Sequence, residues 1–208
     1  MKHCFLLLAL LSFGNFSFAQ DTTNIKERDT TVNKDLEVDT YFRIQTFYPI
    51  HYGNTALAKA HQPRPAFSMQ MQFLDFRNFK AGFGFDFVTY SITDKEMIAN
   101  LSTSKYTSAY FLLSYEYKAT NKIQITPNIG YGDARLDLGS RNSRFGKQNG
   151  NEFRIGAYVD YKVSKAIFVF GGVHYISNTF DIKTSPEYES FFSKANQIQI
   201  NFGVRFGN

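Results

Sequence analysis

The stretch QIQINFGVRFGN, residues 197–208, decides how the chain folds. Ile198, Ile200, Phe202, Val204 and Phe206 hold one parity, and Gln197, Gln199, Asn201, Gly203 and Arg205 hold the other. A period of two is the signature of a β-strand with unlike faces. In a soluble protein the apolar face would point into a core. In a membrane barrel it would point out at lipid, with the polar set lining the lumen.

The alternation recurs upstream, giving eight expected strands near 40–50, 66–74, 80–91, 106–118, 122–132, 152–162 and 166–177 together with the closing stretch. Phe83, Phe85 and Phe87 oppose Gly82, Gly84 and Asp86; Phe153, Ile155 and Val159 oppose Arg154, Gly156 and Asp160. Only 166–177 is apolar on both parities. The connections alternate too. DFRNF (75–79), KATNK (118–122) and KVSK (162–165) are short, whereas 51–65, 92–105, 133–151 and 178–195 are long. Short turn and long loop in rotation over an even strand number is the layout of an up-and-down transmembrane barrel, with short periplasmic turns and long extracellular loops. Pro127 lies inside a strand, where a closed barrel offers no free edge, and predicts a bulge.

Energy selects the dry face. An eight-stranded barrel is only wide enough for side chains to fill, or for one small ligand. Ten or more Phe and Tyr rings would crowd it. With the polar parity inside, the lumen receives Arg43, Asp86, Glu116, Arg154, Asp160 and Arg205, three of each sign. Gly82, Gly84, Gly130, Gly132, Gly156 and Gly203 share that parity and make room for long side chains. An Arg forced to face lipid at mid-membrane costs about 2–4 kcal/mol. The outward parity also places Tyr48, Tyr131 and Tyr175 toward the outer rim, and Tyr117, Tyr161 and Phe206 toward the periplasmic rim, as two interfacial girdles.

These dyad strands, the FAQ junction at 18–20 and the final GVRFGN resemble the small eight-stranded outer-membrane β-barrel proteins, particularly those of Bacteroidota-type bacteria. The resemblance covers 38–208 as an architecture and includes no catalytic motif. It implies an integral outer-membrane, porin-like protein of a Gram-negative envelope. Its partners would be outer-membrane lipid, lipopolysaccharide and the barrel insertion machinery. Many such proteins end on the aromatic residue itself; here Gly207 and Asn208 follow Phe206.

The rest of the chain fits export. MKHCFLLLALLSFGNFSFAQ reads as a secretory signal peptide over 1–19, with a short basic start, an apolar run and a small-x-small junction at Ser17-Phe18-Ala19. Residues 20–37 are polar, Thr-rich and aperiodic, and read as a flexible leader. The one cysteine, Cys4, lies in the signal, so disulfides and thiolate metal sites are excluded from the mature chain. Aromatics make up 17% of the sequence, yet mean hydropathy is -0.30, because the rings are spread among polar residues. The net charge of +5 is scattered and gives no nucleic-acid footprint.

The candidate sites are few, and no cofactor or metal is expected. His174-Tyr175-Ile176-Ser177-Asn178 resembles the His-x-Ser-Asn motif of lipid A deacylases, one residue too long. Residues three apart on a strand face opposite ways, which separates a base at His174 from a nucleophile at Ser177. The six inward charges read as a salt-bridged filler or as an ion path. Arg135, Arg141, Arg144 and Lys147, with only two Asp, suit the 132–151 stretch to contact with anionic lipopolysaccharide headgroups or a partner, or to a plain solvated loop. Phe180, Tyr188, Phe191 and Phe192 suggest that 178–196 folds over the barrel mouth or offers a binding surface. The leading expectation is a non-enzymatic outer-membrane barrel with a structural or surface-interaction role. The alternatives are a deacylase-like enzyme and a soluble lipid-carrying barrel. Asn201→Ser is expected to be silent and Ile200→Arg to block insertion.

Overall fold

The computed structural model describes residues 40–98, 101–140 and 143–207. The expected signal peptide (1–19) and leader (20–37) lie outside the described residues. The elements are β1 (Tyr41–Tyr52), α1 (Ala56–Ala60), β2 (His61–Pro63), β3 (Ala66–Phe76), β4 (Phe79–Ile92), β5 (Thr103–Tyr115), β6 (Tyr117–Lys118), β7 (Ile123–Ser140), β8 (Ser143–Lys162), β9 (Ile167–Phe180), α2 (Pro186–Ser193) and β10 (Lys194–Phe206).

Successive long strands pair antiparallel, and β1 then pairs with β10, from Phe42↔Phe206 to Tyr52↔Asn196. The sheet therefore closes on itself. β6 continues β5 along the same neighbour, and β2 is a three-residue spur on β4. The barrel proper has eight staves. Closure removes the unpaired edges that an open sheet of such apolar strands would expose. At one short turn, Arg77 and Asn78 both adopt positive φ, 50° and 79°. That is the two-residue hairpin geometry whose twist matches the flanking strands.

Two expectations need correction. The 133–151 segment is no loop: β7 and β8 stay in register out to Ser140↔Ser143, with one shift between Leu138 and Gly139. Ala134 and Leu136 keep the inward parity, so the ladder continues where the polar composition suggested a coil. Pro127 causes no bulge. It pairs with Ala157 on β8 in a register that is unbroken there; on the other side the flanking pairs Ser114↔Asn128 and Tyr117↔Ile125 belong to one register, and the positions between them make no ladder pairing. The missing N–H is absorbed by this gap, which divides β5 from β6, while on the other side the Glu116 N–H donates to Asn78 O at 2.8 Å and extends the β4–β5 register. The other register shift lies between Gln72 and Leu74.

Candidate functional site

The lumen is built around three arginines, each almost fully shielded and each held between a carboxylate and a ring. Arg43 donates from Nη2 to Asp160 Oδ2 at 2.8 Å, with its Cζ 4.1 Å from the Tyr158 ring centre. Arg154 donates to Asp86 Oδ2 at 2.7 Å and from Nε to Glu152 Oε1 at 2.6 Å, with Cζ 3.3 Å from the Tyr110 ring centre. Arg205 donates to Glu116 Oε1 at 2.8 Å and Gln124 Oε1 at 2.6 Å, over the Phe168 ring at 3.8 Å. The guanidinium uses its edge for the acid and its face for the ring, so one residue fills the cross-section and satisfies charge. The six charges named from parity thus form three cross-barrel pairs.

Glu152 and Lys80 belong to the same network and were missed. Tyr106 OH donates to Glu152, and Lys80 Nζ lies 3.6 Å from Glu116 and 2.6 Å from Asp75. Both residues share the inward parity of their strands. Both stand at the first position of their expected strands, 80–91 and 152–162, and reading the alternation to that first residue would have found them. Between the charges, Gln70 Nε2 donates to Tyr158 OH at 2.7 Å and Tyr110 OH at 3.0 Å, and Tyr110 OH donates to Asp86 Oδ1 at 3.1 Å. Gly84 makes the Tyr110 position possible, because a Cβ there would fall on the phenol ring. Gly84→Ala is expected to cost about 1–3 kcal/mol through overpacking. The lowered urea midpoint of the liposome-embedded barrel would report it.

The dry face reverses along single strands. On β7, Ile123, Ile125, Ile129 and Tyr131 point outward, against inward Thr126 and Asn128. Above Tyr131 the same outward parity carries Asp133, Arg135 and Asp137, while Ala134 and Leu136 are buried. On β4, outward Phe83, Phe85 and Phe87 give way to Thr89 and Ser91, and inward Gly82, Gly84 and Asp86 to Val88, Tyr90 and Ile92. A barrel wet on its whole exterior has no reason to switch. A barrel crossing an apolar slab does: lipid surrounds the lower band, and water the part above it. The fold is that of the small outer-membrane β-barrels.

Among solved structures, Neisserial surface protein A agrees with this reading. Neisserial surface protein A matches with a TM-score of 0.59 at 13% identity, over 81% of this chain and 97% of that one. The outer membrane protein OprG of Pseudomonas aeruginosa gives 0.49 at 12%, over 82% and 96%. Ail, the attachment invasion locus protein of Yersinia pestis, gives 0.45 at 10%, over 82% and 99%. At 13% identity the likeness to Neisserial surface protein A is one of fold alone. No protein-family model matches the chain, and no curated protein is similar to it in sequence.

The polarity of the barrel overturns the soluble lipid-carrier alternative, since its interior is polar through the apolar band. Tyr48, Tyr131 and Tyr175 all point outward on the half of the barrel nearer the long connections. Tyr117, Tyr161 and Phe206 point outward beside the short turns.

The structure does not bring His174 and Ser177 together. His174 is buried in the lumen, against the Tyr158 ring at 4.5 Å, whereas Ser177 sits on the opposite face of β9, paired with Phe153 and Asn196. Asn201 Nδ2 donates to His174 Nδ1 at 3.0 Å, which leaves Nε2 to donate to Asn128 Oδ1 at 3.0 Å. Both ring nitrogens are therefore occupied, and the lone pair a base would use is already bonded. Asn201 also donates to Gln199 O at 3.2 Å, so Asn201→Ser is no silent change. Among the described residues, no group of three or more His, Cys, Asp and Glu could hold a metal ion.

The extracellular end is apolar inside. Phe47, Val88, Tyr90, Tyr106, Leu136 and Phe180 form one buried cluster within the barrel. A second cluster joins the loops: Ala56 and Ala60 of α1, Ile92, Ile98 and Leu101, with Leu138, Phe191 and Phe192 packed on it. Thr55 caps α1 by accepting from Ala58 N at 3.3 Å. Pro186 opens α2, with Glu187 and Glu189 in its first turn, where the helix dipole favours acids. The aromatics of 178–196 divide accordingly. Phe180 is core, Phe191 and Phe192 close the cap, and Tyr188 remains exposed. Sequence periodicity could not show this cap, because its residues come from four connections and share no repeat.

Proposed function

We propose that the chain is a non-enzymatic outer-membrane protein of the Bacteroidota-type barrels, whose lumen is sealed and whose capped extracellular end serves an envelope-structural or surface-interaction role. The observation that carries it is the arginine packing. Arg43, Arg154 and Arg205 are 0%, 1% and 0% exposed, each bound on two sides. A path for ions would need hydrated charges, and these are spent on one another and on rings. The six aromatics at the rims act as girdles. They stand six to eight residues apart along their strands. At about 3.3 Å per residue and a tilt of about 35–45°, that gives roughly 15–20 Å of height between ring positions, within a band of about 25 Å. Lipid and lipopolysaccharide are its surroundings and the insertion machinery its assembly partner, with the alternating last strand as the cue.

The enzymatic alternative has no observation in its favour, since its base and its nucleophile lie on opposite faces of one strand. Planar-bilayer recording tests the seal: purified barrel should add no steady conductance. A reproducible single-channel step, lost in Arg154→Glu or shifted in ion selectivity by it, would replace the seal with a pore.

A further inference from the structure

Under the loop cap lies a pocket of about 220 Å³, lined by Ala56, Leu57, Met97, Ile98, Leu101, Leu136, Leu138 and Phe192, with His61, Gln148 and Lys194 as its polar members. We infer that this pocket binds a single-chain amphipathic carboxylate taken from the external medium, its alkyl chain against the leucines and its head at Lys194.

Three observations carry the inference. The first is size. The volume falls below the roughly 300–1,000 Å³ that holds drug-sized ligands. One alkyl chain fits, and a two-chain lipid does not. The second is charge. Lys194 is exposed at the first residue of β10, makes no ion pair among the described residues, and no carboxylate lines the pocket with it. His61 donates from Nδ1 to Ala56 O at 3.1 Å, and burial lowers its imidazole below the ordinary value. At neutral pH the pocket's positive charge is therefore that of Lys194. The third is polarity along the neighbouring groove, which shares Met97 and Phe192 but carries Glu187. An anionic head is repelled from that side and directed to the Lys194 side. The chain gains from leaving water, at a rate set by its apolar area.

The inference rests on the cap facing outside, as the proposed function has it. The test is calorimetric titration of nanodisc-embedded protein with decanoate, with empty nanodiscs as the blank. Saturable binding of one decanoate per barrel is expected. Lys194→Gln should weaken it about tenfold, the loss of one charge-assisted contact, and 1-decanol should bind wild type no better than decanoate binds that variant. Leu101→Trp, which fills the pocket, should abolish binding. Unboiled gel mobility is read on every variant, so a failed barrel is distinguished from an empty pocket. Heats equal to the blank with an intact barrel, or equal affinity in Lys194→Gln, would overturn the pocket while leaving the sealed barrel standing. Competition by phosphatidic acid in the discs would overturn the single-chain occupant.

Discussion

Arg154→Met is expected to lower the unfolding free energy of the folded barrel by about 3–5 kcal/mol, the usual cost of leaving a buried charge without its partner. Here two carboxylates are abandoned at once. Asp86 and Glu152 are both fully buried, and the donors left to them, Tyr110 OH and Gln199 Nε2 on Asp86 and Tyr106 OH on Glu152, carry no charge that could replace the guanidinium. Tyr110 loses the cation stacked on its face and keeps its hydrogen bonds to Asp86 and Gln70. Urea titration in lipid vesicles, followed by far-ultraviolet circular dichroism, reads the loss. The companion variant separates charge from shape. Arg154→Met with Asp86→Asn and Glu152→Gln removes the whole network and should recover most of the stability, because a buried ion pair replaced by neutral groups is often no worse than the original. If the single variant were as stable as wild type, the charges would be solvated and the seal would be lost as an explanation.

Phe202→Arg is expected to prevent stable insertion. Phe202 is 61% exposed on the outer face and pairs with Thr46 and Gly171, between the levels of Phe206 and Tyr48. That is mid-band, where an outward Arg costs about 2–4 kcal/mol. Ile200 pairs with Tyr48, closer to the outer rim, so Ile200→Arg should be milder than its place in the alternation suggested. The matching control is Gln197→Leu. Gln197 is buried with neither amide atom hydrogen bonded, so an apolar replacement of similar shape should be nearly silent. Assembly into vesicles, scored by protease protection of the barrel band, compares the two. Equal yields would mean that the outward face is not in lipid.

The strands were legible because their two faces differ in kind. Gln197 to Phe206 alternates without a break, and its apolar members all prove to face outward. Parity also named Arg43, Arg154 and Arg205 as lumen residues, since an arginine has only one tolerable side in such a wall. What parity could not give was the partner. His174 meets Asn128 and Asn201 across 46 and 27 residues of sequence, and strand stagger sets those meetings. The β7–β8 extension was hidden for a physical reason. Above Tyr131 the outside becomes water, so the outward residues turn polar and the strand reads as a loop. Glu152 stands at the first position of the expected strand 152–162, next to that stretch, and its inward parity went unread. Pro127 was read as the site of a bulge, but a gap in the neighbour accommodates the missing donor and the register does not shift there.

The central claim is a closed barrel with lipid outside, and gel mobility of detergent-extracted protein, boiled against unboiled, tests it most directly. A large mobility difference, with the protein absent from the detergent-free soluble fraction, is the expected result. Identical mobility, with the protein recovered from the soluble fraction, would contradict it.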